Sequence, residues 1–213
     1  MNIYYKDKDI AVCEKTYGVS SQISDKENMV SMLEKELDCI VYPVHRLDTT
    51  TTGLIVYALN KKSAARLSDT VAKGELKKEY YAVVHGEIST QGRLTDMLYH
   101  DRIRNKSYVV DSERKGVKRA ELEYFPLGIS AIKGEMLSLV KIKLYTGRTH
   151  QIRVQMANMG SPLFGDGKYG AKYNGKIRLH SAYLSFPHPI TGKTLEFSSL
   201  PQGEIWDDFK ISE

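Results

Sequence analysis

The most constraining feature of this sequence is the run GLIVYAL at residues 53–59, which is apolar or aromatic at every position. A strand exposed on one face alternates apolar and polar residues, so an unbroken run is typical of a strand covered on both faces. A short buried helix has the same composition and stays open as an alternative. The run therefore indicates a layered fold with this segment at its centre.

The other segments favour a strand-rich fold with interspersed helices. Further strands are predicted at 10–15, 79–86, 117–125, 139–145 and 178–186. Helices are predicted at 27–37 after an SDKE capping box, at 60–74 between Asn60 and Gly74, and from Thr149 to Gly160 with Ile152, Met156 and Met159 on one face. Because strands and helices do not alternate strictly, we expect an α+β fold with a central mixed or mostly antiparallel sheet flanked by helices and loops.

Composition and charge narrow the classes of function. The chain has a net charge of +5, two cysteines without CxxC spacing, no repeats and no linker-like tract. No window is apolar enough for a membrane span, and the N-terminus lacks the apolar core of a signal peptide. We expect one cytoplasmic domain over residues 1–213. Its basic stretches at 73–80, 102–119 and 147–153 permit a polyanionic partner.

One acidic residue has an unusual position. Asp48 lies between Arg46 and four threonines, directly before the buried run. If residues 44–48 are extended, Arg46 and Asp48 point to the same side. A helix starting near Thr149 would place His150 and Arg153 on one face, from which Arg153 can reach a carboxylate. An aspartate beside an arginine stays ionised and oriented, as a nucleophile must be.

Simpler interpretations of these residues are also available. Asp48 can be a turn or cap residue with the threonines as hydrogen-bonding neighbours, and Tyr80 can be a core residue like Tyr81 beside it. His45, His150 and His180 lack the spacing of metal ligands. The sequence contains no GxSxG elbow, P-loop or GxGxxG, so neither a serine triad nor a nucleotide cofactor is indicated.

Four segments together resemble a known enzyme family. In order along the chain they are HRLDTTTTGLIVYALNK (45–61), KKEYYAVVHG (77–86), GRTHQIRVQMANMGSPLFGDGKYG (147–170) and RLHSAYLSFPHPITG (178–192). They are similar to the four motifs of the RluA family of pseudouridine synthases. The sister group of RsuA-like synthases has G-R-L-D where this chain has H-R-L-D, so the RluA type fits better.

The chain also departs from the family pattern. Members show N/E-K-P-A-G near the N-terminus, where this chain has Glu14-Lys15-Thr16-Tyr17-Gly18. Thr52 stands where serine is common, which keeps the hydroxyl group. Because few residues precede the first predicted strand, we expect no S4 RNA-binding domain of the kind that many relatives carry. Specificity is therefore expected to come from the catalytic domain itself.

The resemblance implies a fold, an activity and a set of site residues. The fold is that of pseudouridine synthases, and the activity is isomerisation of uridine to pseudouridine in 23S rRNA or tRNA. Asp48 would attack C1′ of the ribose or C6 of the uracil, or assist a glycal path. Tyr80 would lie against the uracil and move a proton, and Arg153 would pair with Asp48. Substrate or RNA contacts are implied for Arg46, His45, Arg148, His150 and Leu179.

The same resemblance implies the partners and leaves two other functions open. RNA is the expected partner, the protein is expected to be a monomer without an obligate protein partner, and no metal or organic cofactor is required. Residues 86–120 are basic and loop-like and are expected to contact the RNA. The alternatives are a non-catalytic RNA-binding or remodelling module and a small metal-dependent hydrolase built around His45 and His150.

Overall fold

The computed structural model describes residues 1–132 and 134–209, which divide into two compact units. Unit 1 contains Met1–Lys78 and His180–Leu200. Unit 2 contains Glu79–Leu179 and the segment that follows from Pro201. The single catalytic domain expected over residues 1–213 stays a prediction.

The described residues form eleven strands, three α-helices and one short 3-10 helix. In chain order the α-helices and strands are β1 (Ile3–Lys6), β2 (Ile10–Lys15), α1 (Met29–Leu37), β3 (Tyr42–Pro43), β4 (Thr52–Ala58), α2 (Lys61–Ala72), β5 (Lys77–His85), β6 (Gly92–Asp101), β7 (Lys106–Val109), β8 (Val117–Ile132), β9 (Glu135–Leu144), α3 (Gln151–Asn158), β10 (Leu179–Pro187) and β11 (Thr194–Ser198). The 3-10 helix is Gly167–Tyr169.

Unit 1 is built around the apolar run that dominates the sequence. The run forms β4, in which every residue from Leu54 to Ala58 is fully buried, so the prediction of a strand covered on both faces is confirmed. β4 pairs antiparallel with β2 and β3 and parallel with β10, which makes this sheet mixed. Gly53 is required here because a Cβ atom would lie 2.3 Å from the carbonyl oxygen of Ser181, and its φ is +100°.

The two helices of unit 1 begin at asparagine caps. Asn28 caps α1 and exchanges side-chain and backbone hydrogen bonds with Ser31, so the capping box predicted at 24–27 lies four residues later than expected. Asn60 caps α2 by accepting from the backbone N–H of Ser63, as predicted. Gly74 follows α2 with a φ of +73°, which confirms it as the stop.

Unit 2 contains an antiparallel sheet with α3 against one face. The strand order is β5-β9-β8-β6-β7, and each neighbouring pair from β9 to β7 is antiparallel. Leu98 and Ala120 on this sheet pack with Val154 of α3 and with Tyr169. The predicted α+β class with a mixed and mostly antiparallel sheet is therefore confirmed.

Two expectations for unit 2 were wrong. The basic stretch at 102–119 contains β7 and the start of β8 rather than only loop, because β6 and β7 form a hairpin. α3 begins at Gln151, and His150 is its N-cap with a positive φ of 54°, so the predicted shared helical face of His150 and Arg153 does not form. Residues 151–156 are buried on every side of α3 rather than along one stripe.

Candidate active site

The loop around Asp48 has the alternation expected of an extended segment. His45 and Leu47 are buried, Arg46 is exposed and Asp48 is half-buried. The backbone carbonyl of Asp48 then accepts a 2.9 Å hydrogen bond from the N–H of Thr51, so a turn begins at this residue. Asp48 thus sits at the point where the chain enters β4.

Lys15 fixes the backbone that follows Asp48. Its side chain is fully buried, and its Nζ donates to the carbonyls of Thr16 at 3.0 Å, Thr49 at 3.0 Å and Thr51 at 2.7 Å. Burial lowers the pKa of Lys15 from 10.5 to about 8, and the negative charge of Asp48 acts in the opposite direction. The ammonium group therefore stabilises the fold of the loop, and its charge attracts that of Asp48.

Two further residues of unit 1 hold the loop from its other side. The Nε2 atom of His45 accepts a 3.1 Å hydrogen bond from the N–H of Val56, so the proton of the neutral ring is on Nδ1. Burial and then the positive charge of Lys78 lower the pKa of His45 to about 3. The Ser21 hydroxyl donates to the carbonyl of Leu47 at 2.8 Å and accepts from its N–H at 3.1 Å. The loop is therefore rigid on both flanks of Arg46.

Thr52 belongs to a chain of hydrogen bonds across unit 1. Its hydroxyl lies 2.9 Å from Nδ1 of His180, whose Nε2 lies 3.1 Å from the hydroxyl of Ser199. His180 is buried, and this burial lowers its pKa to about 4, so the ring is neutral near pH 7. The threonine that replaces the common serine thus keeps the polar contact that a hydroxyl can make.

In unit 2, Arg153 is held by a buried carboxylate. Its Nε and one Nη atom donate to the two oxygens of Asp166 at 2.6 and 2.8 Å, and both side chains are almost fully buried. The Tyr169 ring lies 5.1 Å from Cζ of Arg153, within the range of a cation–π contact. Two-point pairing of this kind fixes the plane of the guanidinium as well as its position.

Tyr169 also connects Arg153 to His150. Its hydroxyl accepts from the N–H of Ser107 at 2.7 Å and lies 2.9 Å from Nδ1 of His150. Burial is the main cause of its raised pKa, so the phenol keeps its proton and can donate it to Nδ1. The segment GDGKYG at 165–170 therefore orients two of the basic residues that the sequence singled out.

The remaining candidates have different surroundings. Tyr80 on β5 and Leu179 at the start of β10 are each 4% exposed. Arg148 is exposed, and its Nε donates to the carbonyl of Arg119 at 2.9 Å. Burial of Tyr80 agrees with the simpler interpretation as a core residue, and its part in catalysis stays a prediction.

The structure thus assembles two groups of candidate residues. His45, Arg46 and Asp48 share one loop of unit 1, whereas Arg148, His150 and Arg153 lie at the start of α3 in unit 2. The pairing of Arg153 with Asp48 joins residues of different units and stays a prediction. The sequence interpretation missed Lys15, Asp166 and Tyr169 as supporting residues, although all three lie within segments that were compared with the family.

One group of possible metal ligands occurs among the described residues. Atoms of Asp7, Asp9 and His188 lie within 4.8 Å of one another. Nδ1 of His188 accepts from two backbone N–H groups, so its Nε2 carries the proton and donates to Asp7 at 2.8 Å. Asp7 also accepts from the Tyr5 hydroxyl, and Asp9 accepts from Asn60. These atoms are used in hydrogen bonds that join residues 7–9 to Asn60 and His188.

The chain is similar to known proteins along most of its length. The family model described as RNA pseudouridylate synthase matches residues 9–158. tRNA pseudouridine synthase C of Haemophilus ducreyi is 29% identical in an alignment 224 residues long that covers 94% of this chain and 90% of that protein. Ribosomal large subunit pseudouridine synthase D of Zymomonas mobilis is 34% identical in an alignment 171 residues long that covers 75% of this chain and 52% of that protein.

A solved structure has the same fold. Human RNA Pseudouridylate Synthase Domain Containing 1 superposes with a TM-score of 0.81 at 24% identity, covering 94% of this chain and 83% of that one. This likeness concerns the fold alone. None of the helices in the described residues combines the length and apolar character needed to cross a bilayer.

Proposed function

Since this chain belongs to the family of RNA pseudouridylate synthases, we propose that it is an RluA-type isomerase with Asp48 as its nucleophile. The substrate is a uridine of tRNA or 23S rRNA. Relatives named for tRNA and for the large ribosomal subunit both support this range, and the H-R-L-D motif supports the RluA type. A cytoplasmic location and a monomeric state are part of the same proposal.

Asp48 is proposed to act as an ionised carboxylate on one nucleoside. It attacks C1′ of the ribose or C6 of the uracil, or it assists departure of the base by a glycal path. Each route needs a carboxylate whose position does not change while the base rotates and reattaches through C5. The three carbonyl contacts of the buried Lys15 and the contacts of Ser21 to Leu47 supply that rigidity.

Arg153 is proposed to orient the carboxylate of Asp48. A guanidinium has five N–H donors, of which two reach Asp166, so its fork geometry suits contact with more than one carboxylate. Asp166 and Tyr169 then act through Arg153 as positioning residues. Tyr80 is proposed to stack on the uracil and to move a proton during rearrangement.

The basic residues are proposed to bind the RNA around the target. A uridine inside folded RNA must be extruded before a side chain can reach C1′ or C6, at a cost of a few kcal/mol. Arg46 is exposed next to Asp48, so it can occupy the stack or bind a phosphate as the base leaves. Arg148 is exposed before α3 and is assigned to phosphate contacts, and Leu179 to the apolar floor under the base. His45 and His150 are buried, so any effect they have on RNA binding would be transmitted through their neighbours.

The observation that carries the proposal is the rigid, half-buried Asp48 within the H-R-L-D motif of a family member. Pseudouridine mapping across total RNA from cells that lack this protein tests it. We expect one or a few uridines to lose modification, and we expect plasmid-borne wild-type protein, but not Asp48→Asn, to restore them. An unchanged map would contradict the enzyme proposal and favour the non-catalytic RNA-binding module instead.

A further inference from the structure

Unit 2 contains a pocket to which the proposed chemical step assigns no catalytic residue, although its residue Arg148 is already assigned to phosphate contacts. Its volume is about 600 Å³, and its wall combines the end of the β6–β7 hairpin, the start of β8 and the loop before α3. The polar side chains that matter here are His100, Arg102, Ser107, Lys118, Arg148 and Thr149. Three separate segments of the chain therefore contribute one cation each to a single concave surface.

The charges of this pocket are not balanced by the protein. Within residues 1–132 and 134–209, Arg102, Lys118 and Arg148 take part in no ion pair, and Arg148 donates only to a backbone carbonyl. The acidic residue of the lining is Asp101, whose Oδ1 accepts from the N–H groups of Ile103 and Arg104. Its carboxylate thus caps the hairpin loop. The lining is therefore net positive and suited to an anion.

The helix beside the pocket adds to the same potential. Gly147, Arg148 and Thr149 line the pocket and lead directly into α3. The first turn of α3 contains no acidic residue, and the side chain of its N-cap, His150, accepts no hydrogen bond from a backbone N–H of the helix. The partial positive charge at the start of a helix is therefore not compensated by an acidic side chain of its own first turn.

The tip of the hairpin indicates what kind of anion is bound. Ile103 is 99% exposed and stands between Arg102 and Arg104. An inorganic anion has no apolar surface that could pack on an isoleucine side chain, whereas RNA presents apolar base faces next to its phosphates. Proteins that bend nucleic acids combine cationic side chains with apolar ones that insert between bases.

We propose that this pocket binds the phosphates of an RNA strand while Ile103 contacts a base of the same strand. The inference rests on the proposed function, because it takes RNA as the partner. It assigns to the hairpin β6–β7 a role in holding the RNA rather than in the chemical step. The pocket then contributes affinity and orientation, and the rate of the chemical step comes from other residues.

Binding of labelled RNA across a salt series tests the phosphate contacts. The probe is an unmodified tRNA transcript, with a 23S rRNA fragment in a parallel series. The variant Arg102→Gln/Lys118→Gln should bind roughly tenfold more weakly, and the slope of log affinity against log salt should fall by about 2. Lys61→Gln/Lys62→Gln removes the same charge from the exposed face of α2 and should change neither quantity.

Ile103→Ser separates the base contact from the charge. It should lower the affinity and leave the salt slope unchanged, and because the side chain is fully exposed the variant should melt at the wild-type temperature. Equal affinities and slopes for the pocket variant, the α2 control and the wild type would overturn the inference and make the pocket an ordinary solvated surface. Wild-type affinity for Ile103→Ser would overturn the base contact.

Pseudouridine formation by the wild type is measured on the same RNAs. If pseudouridine forms while the pocket variant keeps the wild-type salt slope, the pocket inference fails and the proposed function stands. If the pocket variant loses affinity but the wild type forms no pseudouridine on these RNAs or in the cellular map, the proposed function fails and the pocket stands as an RNA site.

Discussion

The two units bury a positive charge in opposite ways. In unit 1 the ammonium of Lys15 is surrounded by three backbone carbonyls, which are neutral dipoles. In unit 2 the guanidinium of Arg153 faces the carboxylate of Asp166 and the ring of Tyr169. Carbonyls satisfy the hydrogen bonds of a cation but leave its charge in place, whereas a carboxylate cancels the charge and fixes the geometry.

The difference explains what each cation can do for a neighbour. The positive charge of Lys15 is not cancelled by its carbonyl partners, so it still acts on Asp48. Burial without a paired carboxylate also lowers the pKa of Lys15 to about 8. Arg153 keeps its charge at every physiological pH, and its two bonds to Asp166 leave the remaining donors in a fixed direction. Unit 1 therefore contains a buried cation whose charge is not cancelled, and unit 2 contains a guanidinium whose direction is fixed.

The largest effect is expected when the carboxylate of Asp48 is removed, because Lys15 and Arg153 are both proposed to act on it. Asp48→Asn should reduce pseudouridine formation by more than about a thousandfold, because an amide cannot act as the nucleophile. RNA affinity should stay within about tenfold of the wild type, since the contacts to phosphates remain. Single-turnover assays with saturating enzyme measure the rate. Asp25→Asn, an exposed matched change, should behave as the wild type, and an active Asp48→Asn enzyme would refute the assignment.

The pair in unit 2 should give the next largest effect. Arg153→Leu should lower the rate on the order of a hundredfold through misplacement of the carboxylate, whereas Lys61→Ala should change it less than about twofold. The single variant also leaves Asp166 buried without its guanidinium, at a cost of about 3–5 kcal/mol in stability. Chemical denaturation and turnover assays report the two losses separately.

A double variant distinguishes orientation from folding. Arg153→Leu/Asp166→Leu replaces both charges by apolar groups and should recover most of the stability that Arg153→Leu loses. Activity should stay low, because no guanidinium is left to orient Asp48. Recovery of activity together with stability would show that the pair is only structural, and the contrast between the two units would then disappear.

Acidification should reduce stability through two buried histidines of unit 1. Burial lowers the pKa of His45 from 6.5 to about 3 and that of His180 to about 4. The unfolded chain takes up protons below about pH 6.5 while the folded chain does not, so stability rises with pH and is lost as pH falls through this window. Each histidine should cost about 2 kcal/mol between pH 7 and pH 5.

Denaturation at several pH values measures this loss. His45→Gln keeps an acceptor for the N–H of Val56. At acid pH it should reduce the slope of the free energy of unfolding against pH by about 1.4 kcal/mol per pH unit. Hydrogen exchange at pH 5 should increase first in β4 of unit 1. Equal acid sensitivity of His45→Gln and the wild type would mean that the histidine is not the titrating group.

Local patterns predicted a large part of the fold. The apolar run identified β4, and Asn60 and Gly74 identified the ends of α2, because these signals arise from burial on both faces and from cap chemistry. β6 and β7 were missed because their residues are mostly half-buried and carry several charges, which hides the alternation of a strand. The burial of α3 on every side removed the one-sided stripe that its sequence had indicated.

The supporting residues of the candidate site were harder to predict than its motifs. Lys15 binds a carbonyl 36 residues away, and Tyr169 accepts from an N–H 62 residues away. Such contacts depend on strand order and register, which no local pattern specifies. The motifs drew attention to Asp48 and Arg153, but their buried partners could only be identified once the chain was folded.

Metal removal should have the smallest effect, and it tests whether the proposed reaction depends on a metal ion. Exhaustive treatment with EDTA should leave the initial rate within about twofold, because the proposed steps use a carboxylate, a guanidinium and a phenol. The Asp7–Asp9–His188 group should not make the rate sensitive to EDTA either, since its atoms are engaged in hydrogen bonds within the protein.

Any loss of activity that reflects RNA folding should be restored by Mg²⁺ and should vanish with a short unstructured substrate. A loss that persists with the short substrate and is reversed only by a transition metal would favour the alternative of a hydrolase built around His45 and His150. The reaction would then depend on a metal rather than on the carbonyl-held Lys15 and the carboxylate-held Arg153.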